Sequence, residues 1–337
     1  MKIGFFELEG WEEPAIRTNF TDAELVLNNN KIDELSILAA TDFDVISVFV
    51  GSRITKDVLA RFPNLKLIAT RSTGYDHIDI AACGERGVMV AYVPAGYGDN
   101  TVAEFAFGLL LSLIRKIYKG IDQIKETGSF SLEGMRGADL KGKTIGIVGT
   151  DRIGKEAVKI AKGFGMQVIA FDPMPDNAYA AAIGFKYAAT LEELLGSSDV
   201  ITIHCPLTPA TTHLINENNT KSIKRGAYLI NTARGGIVST EALAAALNDG
   251  ILAGAAVDVL EEEGELQEEL TFLSKGHPKE SELQTLLRNH ILMRMPNVLI
   301  TPHMAFDSTE ALGRILDTTF ANMKGFIAGA PINIVRG

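Results

Sequence analysis

Short, continuous apolar runs alternate with helical patterns along this chain, and that alternation limits the folds it can adopt. In the first hundred residues the predicted strands are Ile3–Phe6, Leu25–Leu27, Val45–Val50, Leu67–Thr70 and Val88–Val93. Runs without polar alternation indicate strands that are buried on both faces. Helices predicted between them, at 55–61 and 78–86, would return the chain to the same edge and make the sheet parallel. We therefore expect a doubly wound α/β domain.

The alternation resumes after residues 100–126, which predict one long helix that could link two domains. The strands predicted in the second half are Thr144–Val148, Gln167–Phe171, Val200–His204, Tyr228–Asn231, Ala253–Val257 and Val298–Thr301, and the helices are Ile153–Phe164, Leu191–Leu195, Glu241–Leu247 and 308–327. A chain of 337 residues suits two domains better than one core. The acidic segment 261–296 breaks the pattern, and we expect an exposed excursion with a short helix near Leu286.

Charge and composition restrict the partners of the chain. A formal net charge of −10 argues against nucleic acid, because proteins that bind it need a positive surface. The longest strongly apolar stretch, 105–114, is too short to cross a membrane and predicts a buried helix. The first residues lack the features of a signal peptide, and Cys83 and Cys205 do not resemble a disulfide scaffold or a metal site. We expect a cytoplasmic protein that binds neither nucleic acid nor membrane.

A glycine-rich turn marks a candidate cofactor site. The turn Gly149–Gly154 follows a buried strand and opens an amphipathic helix, where helix N–H groups can bind a pyrophosphate. Asp172 ends the next strand, where its carboxylate would accept hydrogen bonds from an adenosine ribose and repel a 2′-phosphate. This order of elements predicts NAD rather than NADP.

Asp151 stands where this type of turn has its second glycine. A carboxylate there could repel phosphate, with Arg152 partly offsetting the repulsion. It could also cap the helix that begins near Arg152 by accepting a hydrogen bond from a backbone N–H. Both interpretations can hold together.

Three chemically active side chains follow strands in the second half: Arg234, Glu263 and His303. Reduction of a 2-keto acid needs a cation for the carboxylate and carbonyl, an acid for the forming alkoxide, and a group that keeps that acid charged. Each residue alone has an ordinary interpretation as a surface ion pair or a turn residue. Their occurrence together at strand ends, where such folds bind ligands, favours the catalytic one. We interpret His77, His204 and His213 as structural.

The sequence strongly resembles the D-isomer-specific 2-hydroxyacid dehydrogenases, and most closely their D-lactate dehydrogenase branch. The resemblance spans nearly the whole chain. It rests on the motifs 71–79 (RSTGYDHID), 93–95 (VPA), 100–104 (NTVAE), the glycine turn, 204–208 (HCPLT), 231–235 (NTARG), 258–263 (DVLEEE) and 301–306 (TPHMAF). It implies a Rossmann NAD-binding domain, 101–303, inserted in a flavodoxin-like substrate domain, 1–100 and 304–337. A homodimer through the cofactor domains is also implied.

The resemblance also implies roles for individual residues. Arg234 would bind substrate, His303 would be the acid/base, and Glu263 would pair with His303 and raise its pKa. Backbone N–H groups near Thr73 and Gly74 would hold the substrate carboxylate. Tyr97 and Phe306 would shape the pocket for the substrate side chain. The residues expected at the cofactor are Gly149, Asp151, Arg152, Ile153, Gly154, Asp172, Cys205, Pro206, Thr232, Ala233 and Asp258, the last holding the nicotinamide carboxamide.

The activity that these residues favour is hydride transfer between NAD(H) and C2 of a small D-2-hydroxy acid or 2-keto acid, with D-lactate and pyruvate as the expected pair. A glyoxylate or hydroxypyruvate reductase is the alternative within enzymes. An NAD(H)-sensing interaction protein, like the C-terminal-binding-protein corepressors, is the alternative outside them. Glu263 and His303 argue against formate dehydrogenase relatives. Since the chain ends soon after its last predicted helix, we do not expect the regulatory domain of many phosphoglycerate dehydrogenases.

Overall fold

A computed structural model describes residues 1–36, 41–261 and 280–335. The chain divides into two compact units, one formed by Met1–Tyr97 with Ser308–Gly337 and the other by Gly98–Asp307. Both units consist of a parallel sheet with helices on its faces, so the predicted α/β class is confirmed.

The first unit contains a five-stranded sheet in the order β2-β1-β3-β4-β5. The strands are β1 (Lys2–Phe5), β2 (Glu24–Leu27), β3 (Val45–Val48), β4 (Leu67–Thr70) and β5 (Met89–Ala91). The helices are α1 (Glu13–Asn19), α2 (Lys56–Ala60), α3 (Ile80–Glu85) and the last helix, Thr309–Ile327. Because β3 and β4 are buried along their whole length, apolar side chains must cover both faces. Leu59 and Phe62 belong to one layer, and Leu316 and Phe320 of the last helix belong to the other.

The second unit contains a seven-stranded sheet in the order β12-β11-β10-β9-β6-β7-β8. The strands are β6 (Thr144–Val148), β7 (Gln167–Phe171), β8 (Lys186–Tyr187), β9 (Val200–Ile203), β10 (Ala227–Asn231), β11 (Leu252–Val257) and β12 (Val298–Ile300). The helices are α4 (Asp99–Ile114), α5 (Ile117–Thr127), α6 (Arg152–Gly163), α7 (Asn177–Ile183), α8 (Leu191–Ser197), α9 (Thr240–Asn248) and α10 (Glu280–Arg294). The chain runs outward from β6 through β7 to β8 and then returns to the other side of β6 at β9. Ligands of such sheets bind at this switch point, outside the carboxyl ends of the strands.

The single helix predicted over 100–126 is wrong, because two helices, α4 and α5, occupy this region. They meet at Lys116, whose backbone has a left-handed φ of 54°. At the end of α4 the Ile114 carbonyl accepts a hydrogen bond from the Ala138 N–H, and a Cβ on Gly137 would lie 2.5 Å from the same oxygen. A later segment therefore takes the carbonyl that a continuing helix would have used.

Other differences concern short or charged elements. Three short elements were not predicted from the sequence: α1, α7 and β8. Of these, α7 has both an Asp176 cap and a C-terminal Gly184 in the left-handed region. In the acidic excursion, α10 extends for 15 residues and is longer than the short helix predicted there. Residues 262–279, which include Glu263, lie outside the described residues. No helix among the described residues is long and apolar enough to span a membrane.

Candidate active site

The glycine turn lies at the switch point, directly after β6. Gly149 has a φ of +90°, and a Cβ on it would lie 2.7 Å from the backbone nitrogen of Cys205, which follows β9. A Cβ on Gly154 would lie 2.0 Å from the Gly149 oxygen. Both positions therefore require glycine, and the turn brings the start of α6 against the carboxyl end of the sheet. This cradle fits the pyrophosphate of a dinucleotide.

Asp151 occupies the N-cap position of α6, but its side chain accepts no capping hydrogen bond. The predicted capping bond is therefore wrong. The side chain is exposed, so water can solvate the carboxylate in place of the helix N–H groups. The neighbouring Arg152 pairs through Nε with Asp99 Oδ2 at 2.9 Å, which ties the start of α6 to the start of α4.

Asp172 lies at the end of β7, beside the glycine turn, and is held by hydrogen bonds. Its Oδ2 accepts hydrogen bonds from Thr150 N at 2.7 Å and from Thr150 Oγ1 at 3.0 Å. Its Oδ1 accepts one from Met174 N at 2.9 Å. These bonds fix the Asp172 carboxylate beside the glycine turn, where an adenosine ribose is predicted to bind.

Buried polar atoms without a hydrogen-bond partner among the described residues lie along the same edge of the sheet. Two such atoms are His204 Nδ1, after β9, and Thr232 Oγ1, after β10, while a third, Asn289 Oδ1, belongs to α10. The other ring nitrogen of His204, Nε2, lies 2.9 Å from Thr202 Oγ1, and burial lowers the pKa of His204 to about 4. The imidazole is therefore neutral near pH 7. Buried polar atoms need partners, and a dinucleotide along this edge carries amide, phosphate and hydroxyl groups that could supply them.

The other two histidines interpreted as structural have protein partners. His77 Nε2 lies 3.1 Å from Thr70 Oγ1. His213 Nε2 lies 2.5 Å from Glu261 Oε1, and Glu261 Oε2 accepts a hydrogen bond from the Thr240 N–H at the start of α9. These contacts connect loops to the sheet and to α9.

Arg234 follows β10 in a turn that Asn231 stabilises. The Asn231 side chain accepts from Ala233 N and donates to the Arg234 carbonyl, both at 3.0 Å. The Arg234 guanidinium is exposed and donates to the carbonyl of Ala233. A Cβ on Gly235 would lie 2.0 Å from the backbone of Leu260, so glycine is needed for this turn to approach the segment after β11.

Asp258, at the end of β11, organises the turn that carries His303. The Asp258 side chain is almost fully buried, and burial raises its pKa. Its Oδ1 accepts from the Thr301 hydroxyl and from Met304 N, and its Oδ2 accepts from Ala305 N at 2.7 Å. The Asp258 carbonyl accepts from His303 N at 2.8 Å. One buried residue therefore fixes the backbone on both sides of the predicted acid/base.

His303 adopts a left-handed backbone with φ 54°, which is uncommon outside glycine. The rings of His303 and Phe306 pack edge to face with centroids 6.4 Å apart. Arg234, Asp258 and His303 follow β10, β11 and β12, which are neighbours in the sheet. The structure thus places these three predicted residues at one end of three adjacent strands.

In the first unit, the predicted substrate residues Thr73 and Gly74 follow β4. Thr73 Oγ1 donates to the Val93 carbonyl at 2.8 Å, and Ser72 Oγ donates to the Gly74 carbonyl at 2.6 Å. The carbonyl of Tyr97 accepts from Arg314 Nε of the last helix. These bonds fix the backbone of the loop whose N–H groups are expected to hold a carboxylate.

Two acidic residues in the first unit, Glu7 and Glu12, were not predicted from the sequence. The Glu7 carboxylate accepts hydrogen bonds from the backbone N–H groups of Phe49, Gly51 and Ser52, which follow β3. Glu12 pairs with the buried Arg71 guanidinium at 3.3 Å, and burial raises the pKa of Glu12. Of these residues, Arg71 belongs to a motif that the sequence reveals. Glu7 and Glu12 belong to no such motif, and Glu12 is distant in sequence from its partner Arg71.

Known proteins are similar to this chain over its full length. A family model described as the D-isomer specific 2-hydroxyacid dehydrogenase, NAD binding domain, matches residues 107–305. A 2-hydroxyacid dehydrogenase homolog of Zymomonas mobilis is 36% identical, with 98% of each chain covered. The structure reported for the pyruvate reductase of Chlamydomonas reinhardtii has 34% identity and a TM-score of 0.87, with 98% of each chain covered.

A third protein was solved with ligands. The D-lactate dehydrogenase of Aquifex aeolicus, in complex with NAD and lactic acid, is 33% identical and has a TM-score of 0.78, with 97% of this chain and 96% of that chain covered. Identity above 30% over nearly complete chains agrees with the family model and with the motifs along the sheet edge. This chain belongs to the family of D-isomer specific 2-hydroxyacid dehydrogenases.

Proposed function

We propose that this chain reduces a small 2-keto acid to the D-2-hydroxy acid with NADH and catalyses the reverse reaction with NAD, and that pyruvate and D-lactate are its preferred pair. The observation that carries the proposal is the turn at His303. A buried carboxylate, Asp258, holds an imidazole in an uncommon backbone conformation on the same sheet edge that carries the glycine cradle. A structural histidine does not require this arrangement.

The cofactor role rests on Gly149, Gly154 and Asp172, which supply room for a pyrophosphate and an acceptor for a ribose hydroxyl. We assign the remaining cofactor contacts to residues that follow β9, β10 and β11: Cys205, Pro206, Thr232, Ala233 and Asp258. Among the described residues, Asp258 Oδ2 accepts one hydrogen bond, from the Ala305 N–H, so it retains a lone pair for an amide N–H. When bound, NADH supplies the hydride.

The protein's own groups supply charge and the proton. In reduction, the protonated His303 donates its proton to the carbonyl oxygen of the substrate, and in oxidation the neutral ring takes it back. Arg234 holds the substrate carboxylate and polarises the carbonyl. We assign to Glu263 the role of keeping His303 protonated. Thr73 and Gly74 are assigned to bind the substrate carboxylate through backbone N–H groups. Tyr97 and Phe306 are assigned to line the pocket for the substrate side chain.

The test is NADH oxidation with pyruvate, a bulkier keto acid, glyoxylate and hydroxypyruvate, followed by chiral analysis of the product. We expect pyruvate to give the highest kcat/KM and the product to be D-lactate. A higher kcat/KM for glyoxylate or hydroxypyruvate would replace the substrate assignment and keep the chemistry. Tight NADH binding without turnover of any keto acid would instead indicate an NAD(H)-sensing protein.

We also propose a homodimer that forms through α5 and the segment after it. Ile117, Ile121 and Ile124 recur at helical spacing and are 47%, 47% and 46% exposed. Gln123 Nε2 donates to the carbonyls of Ser129 and Ser131, which holds this segment beside α5. The segment adds two strongly exposed apolar side chains, Phe130 and Leu132. An apolar surface of this kind is typical of a protein interface.

A further inference from the structure

We propose that Thr150 and Tyr187 are positioning residues that select NADH over NADPH by fixing the carboxylate of Asp172. The inference rests on the proposed role of Asp172 as the acceptor for the adenosine ribose. It extends that role to two hydroxyl groups, neither of which was singled out in the sequence.

The hydrogen bonds around Asp172 have only one consistent direction. A carboxylate can only accept, so the single hydroxyl hydrogen of Thr150 points to Asp172 Oδ2, 3.0 Å away. Thr150 Oγ1 must then accept the bond that joins it to the Tyr187 hydroxyl at 2.9 Å. Tyr187 in turn accepts from the Asp176 N–H at 3.2 Å. A directed chain thus runs from the backbone at 176 to the Asp172 carboxylate.

This chain of hydrogen bonds restricts the rotation of the Asp172 carboxylate. Among the described residues, Asp172 Oδ2 has two donors, the N–H and the hydroxyl of Thr150, and is saturated. Within the same residues Oδ1 has one donor, Met174 N, and one free acceptor site. That site suits one ribose hydroxyl. Thr150 is buried, so water does not compete for its hydroxyl. A 2′-phosphate would therefore meet a negative charge that cannot turn away without breaking hydrogen bonds.

A lysine in the first turns of α6 does not relieve this repulsion. Lys155 Nζ pairs with Asp176 Oδ2 at 2.8 Å and lies 4.9 Å from the centre of the Tyr179 ring. Asp176 also caps α7 by accepting from the Tyr179 N–H. To neutralise a 2′-phosphate, Lys155 would have to leave both partners. Its arrangement thus strengthens the preference that the fixed Asp172 creates.

The experiment measures dissociation constants of NADH and NADPH by nucleotide fluorescence in the full-length protein. Thr150→Val removes only the hydroxyl and keeps the shape, and Tyr187→Phe removes the next link. We expect each to lower the ratio of NADPH to NADH dissociation constants about 3- to 10-fold, a fraction of the effect of one hydrogen bond to a charged group. Thr150→Ser keeps the hydroxyl and should keep the ratio.

Controls separate the failure of this inference from failure of the proposed function. Tyr179→Phe removes a nearby hydroxyl that donates to the Lys155 carbonyl rather than to the chain, and its ratio should equal the wild-type ratio. Asp172→Asn should abolish most of the discrimination. If Asp172→Asn does so while Thr150→Val and Tyr187→Phe keep the wild-type ratio, the positioning role is wrong and Asp172 keeps its role. If Asp172→Asn leaves the ratio unchanged, the proposed ribose contact is wrong and the inference falls with it.

Discussion

Replacement of Asp258 by asparagine tests whether this residue serves the His303 turn. The amide oxygen of an asparagine can replace Oδ1 and keep the bonds from Thr301 and Met304. Its NH2 group must then replace Oδ2 and face the Ala305 N–H, a buried donor that now has an acceptor at 2.7 Å. Two donors would oppose each other at the centre of the turn.

The magnitude follows from that lost bond. A hydrogen bond to a charged group contributes about 1.5–3 kcal/mol, and an unsatisfied buried N–H costs about 1–3 kcal/mol. Burial raises the pKa of Asp258, so a neutral side chain recovers part of this cost by removing a buried charge. A net penalty of about 2 kcal/mol on the ordered turn corresponds to a decrease in kcat of up to about 30-fold.

The assay compares steady-state reduction of pyruvate with NADH binding, measured separately by fluorescence titration. We expect kcat to fall by up to about 30-fold. The dissociation constant of NADH should rise as well, because the NH2 group also replaces the oxygen assigned to the nicotinamide carboxamide. Thr301→Val is the matched control, since it removes one donor to the same carboxylate, and it should lower kcat less than Asp258→Asn. An unchanged kcat with strongly weakened NADH binding would refute the reasoning, because it is the result expected if Asp258 acts only on the nicotinamide.

Four further predictions concern other residues. His303→Ala should lower kcat by about 100- to 10,000-fold with NADH affinity retained, and a smaller loss would exclude it as the acid/base. Asp151→Gly should tighten NADH binding up to about fivefold by removing an exposed negative charge, and weaker binding in titration would contradict phosphate repulsion. Burial lowers the pKa of His204 from 6.5, the value expected in the unfolded chain, to about 4 in the folded protein. The stability that the neutral, buried His204 contributes is therefore fully present above pH 6.5 and is lost as the pH falls towards 4. The loss is up to about 3 kcal/mol, and urea unfolding of His204→Gln should depend less on pH over this range; an equal dependence would contradict it. Ile121→Lys should convert a dimer into a monomer in sedimentation analysis, whereas a persisting dimer would place the interface elsewhere.

The parts of the fold that the sequence predicted are those with local causes. Strands such as 144–148 and 167–171 are uniformly apolar, and glycines 149 and 154 have a characteristic context. The break between α4 and α5 has a distant cause, because the Ala138 N–H that binds the Ile114 carbonyl belongs to a segment beyond the next helix. No periodicity within the helix itself could reveal it.

In the candidate site, too, the residues in local motifs were predicted and the contacts between distant residues were not. His303 and Arg234 were predicted from motifs after strands, but the support of His303 depends on Asp258, which is 43 residues before Thr301 and 47 before Ala305. The Glu7 carboxylate likewise meets N–H groups more than 40 residues later, after β3. Such contacts follow from strand order, and a sequence shows them only after the sheet is known.

Gly235 packs closely on the backbone of Leu260, so the turn that contains Arg234 and the segment after β11 must move together. A methyl group at 235 would push on the backbone of Leu260 and Glu261. The displacement would then appear at the described end of the segment after β11. A substitution next to the residue expected to bind the substrate would thus first disturb the segment that follows β11.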